Sequence, residues 1–367
     1  MADIRITEAA DRLLLTVAAA ATAAATSTAA ATAAATSTAA ATAAATSTPA
    51  ATSTAAATAT APAAGEPLVL AEYVMRPADP QLESPRPYFA PLRTLAGDVV
   101  TDLRPADHVW HKGLSWSLPV VGDENFWGGP SYRRGQGYVQ LPNNGRQRHL
   151  GFDRLDDGPR ARVTERLDWI TEDGRTLFDE TRHLTAEAID DTAWLLVFDT
   201  VMTNRTSASI ALGSPTTEGR PNAGYGGLFW RGPASFTGGR ILAPNLPAAP
   251  DAPAAPNAPG ATSGGDELRG TRSPWLGFVG EHPDARSSTI VMVDLPGNPR
   301  HPTPWFARSE EYAGLCPAPF FDEEWEVAAG ADLRARYAVV IADGAHDPQG
   351  AARLAARALT LATKESP

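Results

Sequence analysis

Residues Arg160–Ile170 alternate strictly between two sets, with Ala161, Val163, Glu165, Leu167 and Trp169 falling in one of them. A repeat of two sends successive side chains to opposite faces of an extended strand, whereas a helix would need a repeat near 3.6. The same alternation runs through Thr176–Leu184 and Ala193–Met202, with a turn at Ile189–Asp191 between them. Ala208–Leu212, Thr289–Val293 and Asp332–Ala342 are also strand-like. Helix signals are scarce. The clearest is at the C-terminus, where Asp347 is placed to cap, Pro348 suits a first helical position, and Gln349–Thr360 is rich in Ala, Leu and Arg. Many strands and one terminal helix predict an all-β fold: a large antiparallel, supersandwich-like β-sandwich of two sheets with about seven to nine strands each.

Residues 18–64 contain only Ala, Thr, Ser and Pro, and Ala19–Thr28, Ala29–Thr38 and Ala39–Thr48 each read AAATAAATST. Such a tract has nothing large to bury and is expected to stay out of the core. Removing it joins Leu13–Val17 through a Gly65-Glu66-Pro67 turn to Leu68–Leu70, so it reads as an insertion at a hairpin tip. Pro244–Asp266, rich in Pro, Ala and Gly, reads as a second flexible loop between strand-like runs. The whole chain, 1–367, is thus expected to form one sandwich domain.

All 31 basic and 42 acidic residues lie outside the Ala/Thr tract, and their balance is −11. No Lys/Arg stripe is present, which argues against a nucleic-acid partner. The single cysteine, Cys316, excludes an internal disulfide and a thiolate zinc site, and its apolar neighbours suit a buried, inert thiol. The mixed, acidic N-terminus does not read as a secretion signal, and no apolar run reaches membrane-spanning length. The expected location is cytoplasmic, away from membranes.

Chemistry-bearing residues concentrate in loops. Arg104–Gly113 reads RPADHVWHKG and packs Asp107, His108, Trp110, His111 and Lys112 together. Only a turn lets His108 and His111 face a common ligand, and Asp107 is placed to fix an imidazole tautomer. Asp123–Gly129 offers Asn125 and Trp127, and His149 sits in NNGRQRHLGF beside Arg146, Arg148 and Phe152. Prolines in NPRHPTPWF hold His301 and Trp305 in a rigid loop. Thr216–Gly232, TTEGRPNAGYGGLFWRG, combines close-approach glycines with Arg220, Asn222, Tyr225, Trp230 and Arg231. Arg220 and Arg231 supply planar donors suited to carboxylates or vicinal hydroxyls. No GxSxG elbow, HExxH or dinucleotide fingerprint occurs.

The segments RPYFAPLRTLAGDVVT at 86–101, RPADHVWHKGL at 104–114, NFWGG at 125–129 and GRPNAGYGGLFWRG at 219–232 together resemble a soluble bacterial family with many actinobacterial members. That family carries the name "methane oxygenase PmoA", or PmoA-like. NPRHPTPWF and FFDEEWEVAAGADLRARYAVVIADG fit the same family. Members often present DHPHHRG where this chain has Asp107 to Gly113. Trp110 therefore replaces a histidine and Lys112 an arginine, which weakens a three-histidine metal site at the motif. The particulate methane enzyme's subunit of that name spans the membrane several times. This chain shows no such spans, so the resemblance does not imply methane oxidation. The β-rich layout is similar to galactose-mutarotase-like proteins, which implies carbohydrate ligands by fold analogy.

Three functions remain open at this point. The leading one is a carbohydrate-directed enzyme, or an enzyme-like sugar binder, with a small-molecule ligand. His108, His111, His149 and Asp107 would do its acid/base work. Lys112, Trp110, Asn125, Trp127, Arg220, Asn222, Tyr225, Arg231 and His301 would bind substrate. The alternative is an oxygenase or hydrolase dependent on a divalent metal held by His108, His111 and His149. The third is a non-catalytic glycan- or protein-binding module. For either enzymatic reading, His108, His111 and His149 should converge on one concave face with part of Glu218–Arg231.

Overall fold

The computed structural model describes residues 3–18, 66–244 and 262–364. Among these residues two large antiparallel sheets form, and a short helix follows them. The eight-stranded sheet runs in the spatial order Ile4–Glu8, Arg12–Val17, Leu68–Val74, Tyr88–Leu92, Leu114–Ser117, Gly227–Arg231, Gly314–Pro317, Trp305–Arg308. The nine-stranded sheet runs Thr262–Gly264, Arg240–Ala243, Trp275–Glu281, Ser287–Asp294, Asp332–Asp343, Ala193–Asn204, Thr176–Ala188, Arg160–Ile170, Arg146–Asp156.

Alternation explains how the sheets meet. In Arg160–Ile170, residues Ala161, Val163, Glu165, Leu167 and Trp169 are all buried. Their face meets Tyr73, Trp116, Trp194 and Trp230 in one core shared by the two sheets. Across Gly227–Arg231, Leu228 and Trp230 join that core, whereas Phe229 turns to the other side. Trp305 and Ala307 likewise face inward while Phe306 faces out, and Leu315 faces in while Cys316 faces out. The outward set, with Trp127, Ala318, Tyr312 and Phe321, forms a separate apolar cluster on the outer side of the eight-stranded sheet. A strand buried on both faces needs a third layer. Here it comes from loops, a small sheet of Val120–Val121, Ile210–Gly213 and Trp325–Val327, and a hairpin of Ser131–Arg133 with Gly137–Val139.

The helix Pro348–Thr363 covers the outer side of the nine-stranded sheet. Asp347 accepts from the Gly350 amide at 2.6 Å, which satisfies one of the free donors of the first turn. Ala351, Leu354, Ala355, Ala358 and Leu361 pack on Val291, Val293, Ala338 and Val340.

Arg12–Val17 pairs antiparallel with Leu68–Val74, and Val17 lies opposite Leu68. Residues 19–65 themselves, most of the Ala/Thr tract, lie outside the described residues. Of the segment expected to be a loop from Pro244 to Asp266, Thr262–Gly264 is an edge strand beside Arg240–Ala243. Residues 245–261 lie outside the described residues.

Candidate functional site

A cavity of about 320 Å³ opens over the outer cluster of the eight-stranded sheet. Aromatic residues dominate its wall: Trp110, Trp127, Tyr138, Tyr225, Phe306 and Tyr312. His108, His111, Arg220, Arg308 and Glu311 supply the polar groups.

The loop before Leu114–Ser117 builds the polar end. The His108 amide donates to the Pro105 carbonyl at 3.0 Å, and the His111 amide to the His108 carbonyl at 2.9 Å. These two tight turns bring His108 and His111 to one side. Their rings stack with centroids 4.5 Å apart and planes 6° from parallel. His108 Nδ1 lies 2.8 Å from Asp107 Oδ2. With Asp107 ionised, that nitrogen carries the proton and Nε2 keeps a free lone pair. Burial works against the Asp107 carboxylate. The hydrogen bond from His108 and the nearby Arg231 charge more than compensate, holding its pKa below the usual aspartate range.

His111 is buried, packed against Phe229, Trp127 and Tyr312. Arg231 Nη1 donates to its Nδ1 at 3.1 Å, so the His111 proton sits on Nε2. Burial, and then the charges of His108 and Arg231, push the His111 pKa well below the ordinary 6.5. His111 is therefore a neutral donor at neutral pH. Arg231 Nη2 holds both Asp107 oxygens, at 3.0 and 3.1 Å, and its guanidinium lies 4.1 Å from the Tyr312 ring centre. One arginine thus ties the acid to the neutral histidine.

The opposite wall comes from the hairpin and the Gly-rich segment. Arg220 donates to the Tyr138 hydroxyl and stacks 4.9 Å from that ring, and the Tyr138 and Tyr225 hydroxyls are 3.0 Å apart. Trp110 rests on Gly128 and Gly129. A methyl group on Gly128 would fall 2.6 Å from Trp110 Cβ and 2.8 Å from the Glu83 carbonyl oxygen. With φ at 104° and 69°, both positions also favour glycine on backbone grounds.

Of the residues expected from the sequence, Asp107, His108, Trp110, His111, Trp127, Arg220, Tyr225 and Arg231 come together here, Asp107 and Arg231 as backing. Five others do not line the cavity. Lys112 is fully buried and bonded to Glu83 and to Asp79, the latter at 3.0 Å, beneath the loop. Asn125 shapes the turn: its Oδ1 accepts from the amides of Trp127 at 2.8 Å and Gly128 at 3.0 Å. Asn222 is exposed at φ 55°, on a turn. Asp294 Oδ2 accepts from His301 Nδ1 at 2.8 Å and from the Thr303 amide at 2.9 Å, which braces its loop.

His149 departs most from expectation. It belongs to the edge strand of the nine-stranded sheet, and its Nδ1 lies 2.6 Å from Glu165 Oε1. Glu165 also accepts from the Tyr73 hydroxyl, which accepts from Arg182 at 2.9 Å. This buried chain bridges the two sheets, whereas the cavity lies beyond the eight-stranded sheet. The anticipated set of His108, His111 and His149 is therefore not assembled. Among the described residues, no three His, Cys, Asp or Glu side chains are grouped to hold a metal ion.

Sequence reasoning missed Tyr138, Arg308, Glu311 and Tyr312, which no local motif marks, and Phe306, which closes the NPRHPTPWF segment. It also missed Arg86. That fully buried guanidinium donates to the Trp110 carbonyl at 2.7 Å and the Trp127 carbonyl at 3.0 Å, and so fixes both indoles. Burial lowers its pKa to about 10. Arg86 opens the first of the segments that carry the family resemblance, which was a usable signal.

The fold and this cavity define a β-sandwich protein with an aromatic cleft and a histidine–aspartate–arginine cluster. The chain belongs to DUF6807, a family of unknown function, whose pattern matches residues 63–356. No curated protein matches the chain. One solved structure, a heparinase III gene product with methylated lysines, is similar at 11% identity and a TM-score of 0.21, covering 56% of this chain and 22% of that protein. The chain thus corresponds to about a fifth of that protein's length. No helix among the described residues is long and apolar enough to cross a membrane.

Proposed function

We propose that the protein acts on a carbohydrate in this cavity, with His108 as proton acceptor and His111 as neutral hydrogen-bond donor. The observation that carries the reading is the pairing of two differently tuned imidazoles inside an aromatic cleft. Asp107 holds His108 in the tautomer that leaves Nε2 basic. Arg231 holds His111 in the opposite tautomer, with Nε2 bearing the proton. One ring takes a proton while its neighbour donates a hydrogen bond, an arrangement suited to moving a proton between oxygens or carbons of a sugar. Trp110, half-buried on the wall, offers a flat apolar face of the kind that stacks on the C–H face of a pyranose, with Trp127 and Tyr312 packed behind the site.

His149 is not near the pair, so the acid/base reading rests on His108 and His111 without it, and the metal-dependent alternative would need a different third ligand. The binding-module alternative predicts sugar binding with no turnover, in the parent protein as in the His108 variant. The test is a panel of reducing hexoses and hexuronates, followed by binding-induced tryptophan fluorescence and by NMR for anomeric or stereochemical exchange. His108→Asn should retain binding and lose turnover by about 100-fold or more. Absence of binding by every sugar would overturn the proposal. Binding without turnover in the parent protein would leave the module.

A further inference from the structure

We infer that the ligand is a sugar acid, and that Arg220 is the receptor for its carboxylate. This rests on the carbohydrate reading above and adds a charge to it.

Ion pairing around the cavity leaves one arginine over. Arg86 is buried behind the wall on backbone carbonyls, and three of the other arginines at or beside the cavity are already matched. Arg231 holds Asp107 at 3.0 Å, and Arg308 holds Glu311 at 2.9 Å. Arg269, next to Arg308, holds Asp266 at 2.7 Å. Arg220 makes no ion pair among the described residues. Its partner is the neutral Tyr138 hydroxyl, which receives Nη1. The guanidinium lies over the Tyr138 ring, which fixes its plane and leaves the remaining N–H groups for a ligand. One uncompensated positive charge thus faces an aromatic cleft that is partly shielded from water.

A planar guanidinium edge matches a carboxylate through two parallel hydrogen bonds. The count also sets the ligand's charge. A single free cation fits a monoanion, and the carboxylates of Glu311 and Asp107 disfavour a dianionic phosphate in the same space. With an aromatic wall for the ring and the two imidazoles in the same cavity, the arrangement fits a hexuronate. Arg220 would be a specificity-determining residue, with no part in proton transfer.

The experiment compares glucose, glucuronate and glucose 6-phosphate, and galactose with galacturonate, on the full chain by titration calorimetry. The parent protein should bind one of the uronates at least about 10-fold more tightly than its neutral partner. Arg220→Gln should abolish that preference while keeping affinity for the neutral sugar, and Arg220→Lys should restore part of it. Unchanged melting temperature would show that the variants fold. Equal binding of acid and neutral sugars would overturn the inference and leave the carbohydrate reading standing. So would a uronate preference that survives Arg220→Gln. Tighter binding of the phosphate would overturn the monoanion assignment. No binding by any of these sugars would overturn both.

Discussion

The imidazoles of His108 and His111 lie parallel, 4.5 Å between centroids, and each is held by a different end of the same Asp107–Arg231 ion pair. Two unit charges at that spacing would repel by about 4 kcal/mol at an effective dielectric near 20. The two rings therefore do not both carry a charge, and burial keeps His111 neutral.

This has a consequence for stability. In the unfolded chain His111 titrates near the ordinary 6.5, and in the folded chain well below it. Below pH 6.5 the unfolded state binds a proton that the native state refuses, so the contribution is full above that pH and is lost as the pH falls. His111→Gln keeps an acceptor for Arg231 but does not titrate. Urea midpoints between pH 7 and 5 should fall less steeply for this variant than for the parent. Parallel curves would show that His111 is not the source.

Arg231→Lys should lower turnover about 10-fold or more with a smaller change in affinity. Lysine keeps the charge beside Asp107 but loses the forked hydrogen bonds to Asp107 and His111 and the stack on Tyr312. Steady-state kinetics on the active sugar decide this. A change confined to KM would place Arg231 in binding alone.

The buried chain of His149, Glu165, Tyr73 and Arg182 should matter for folding and not for ligands. Glu165→Leu strands the Tyr73 hydroxyl and the His149 ring without an acceptor and leaves Arg182 with less negative charge around it. The expected loss is about 3–5 kcal/mol in chemical denaturation. The folded variant should bind sugar as the parent does. Weakened binding at full stability would tie this network to the cavity.

Replacing residues 18–64 by a short Gly-containing turn should shift the melting temperature by no more than about 3 °C. Val17 and Leu68 are already neighbours across a ladder, so a short connection suffices. Differential scanning calorimetry would expose a structural role as a larger drop.

Which residues share a face is legible in the chain alone. Alternation in Arg160–Ile170 put Glu165 in the same row as Val163 and Leu167, and all three are buried. What neighbours in the chain do to each other is equally legible. Asp107 is one bond from His108 and orients it, and Asp347 caps the helix that Pro348 begins. Which outward row becomes a cleft depends on contacts between distant segments. Phe229 and Phe306 look like surface positions on a two-layer sandwich until a third layer of loops covers them. The tertiary fold alone brought Arg231 to Asp107 across 124 positions and placed Tyr312 beneath that arginine. It also carried His149 away from the other two histidines. Register shifts between Thr164 and Glu165, and between Arg166 and Leu167, seat its edge strand so that the ring meets Glu165 between the sheets. Local pattern sets the face of a residue. Strand order and register, which depend on pairings between distant segments, set what that face meets.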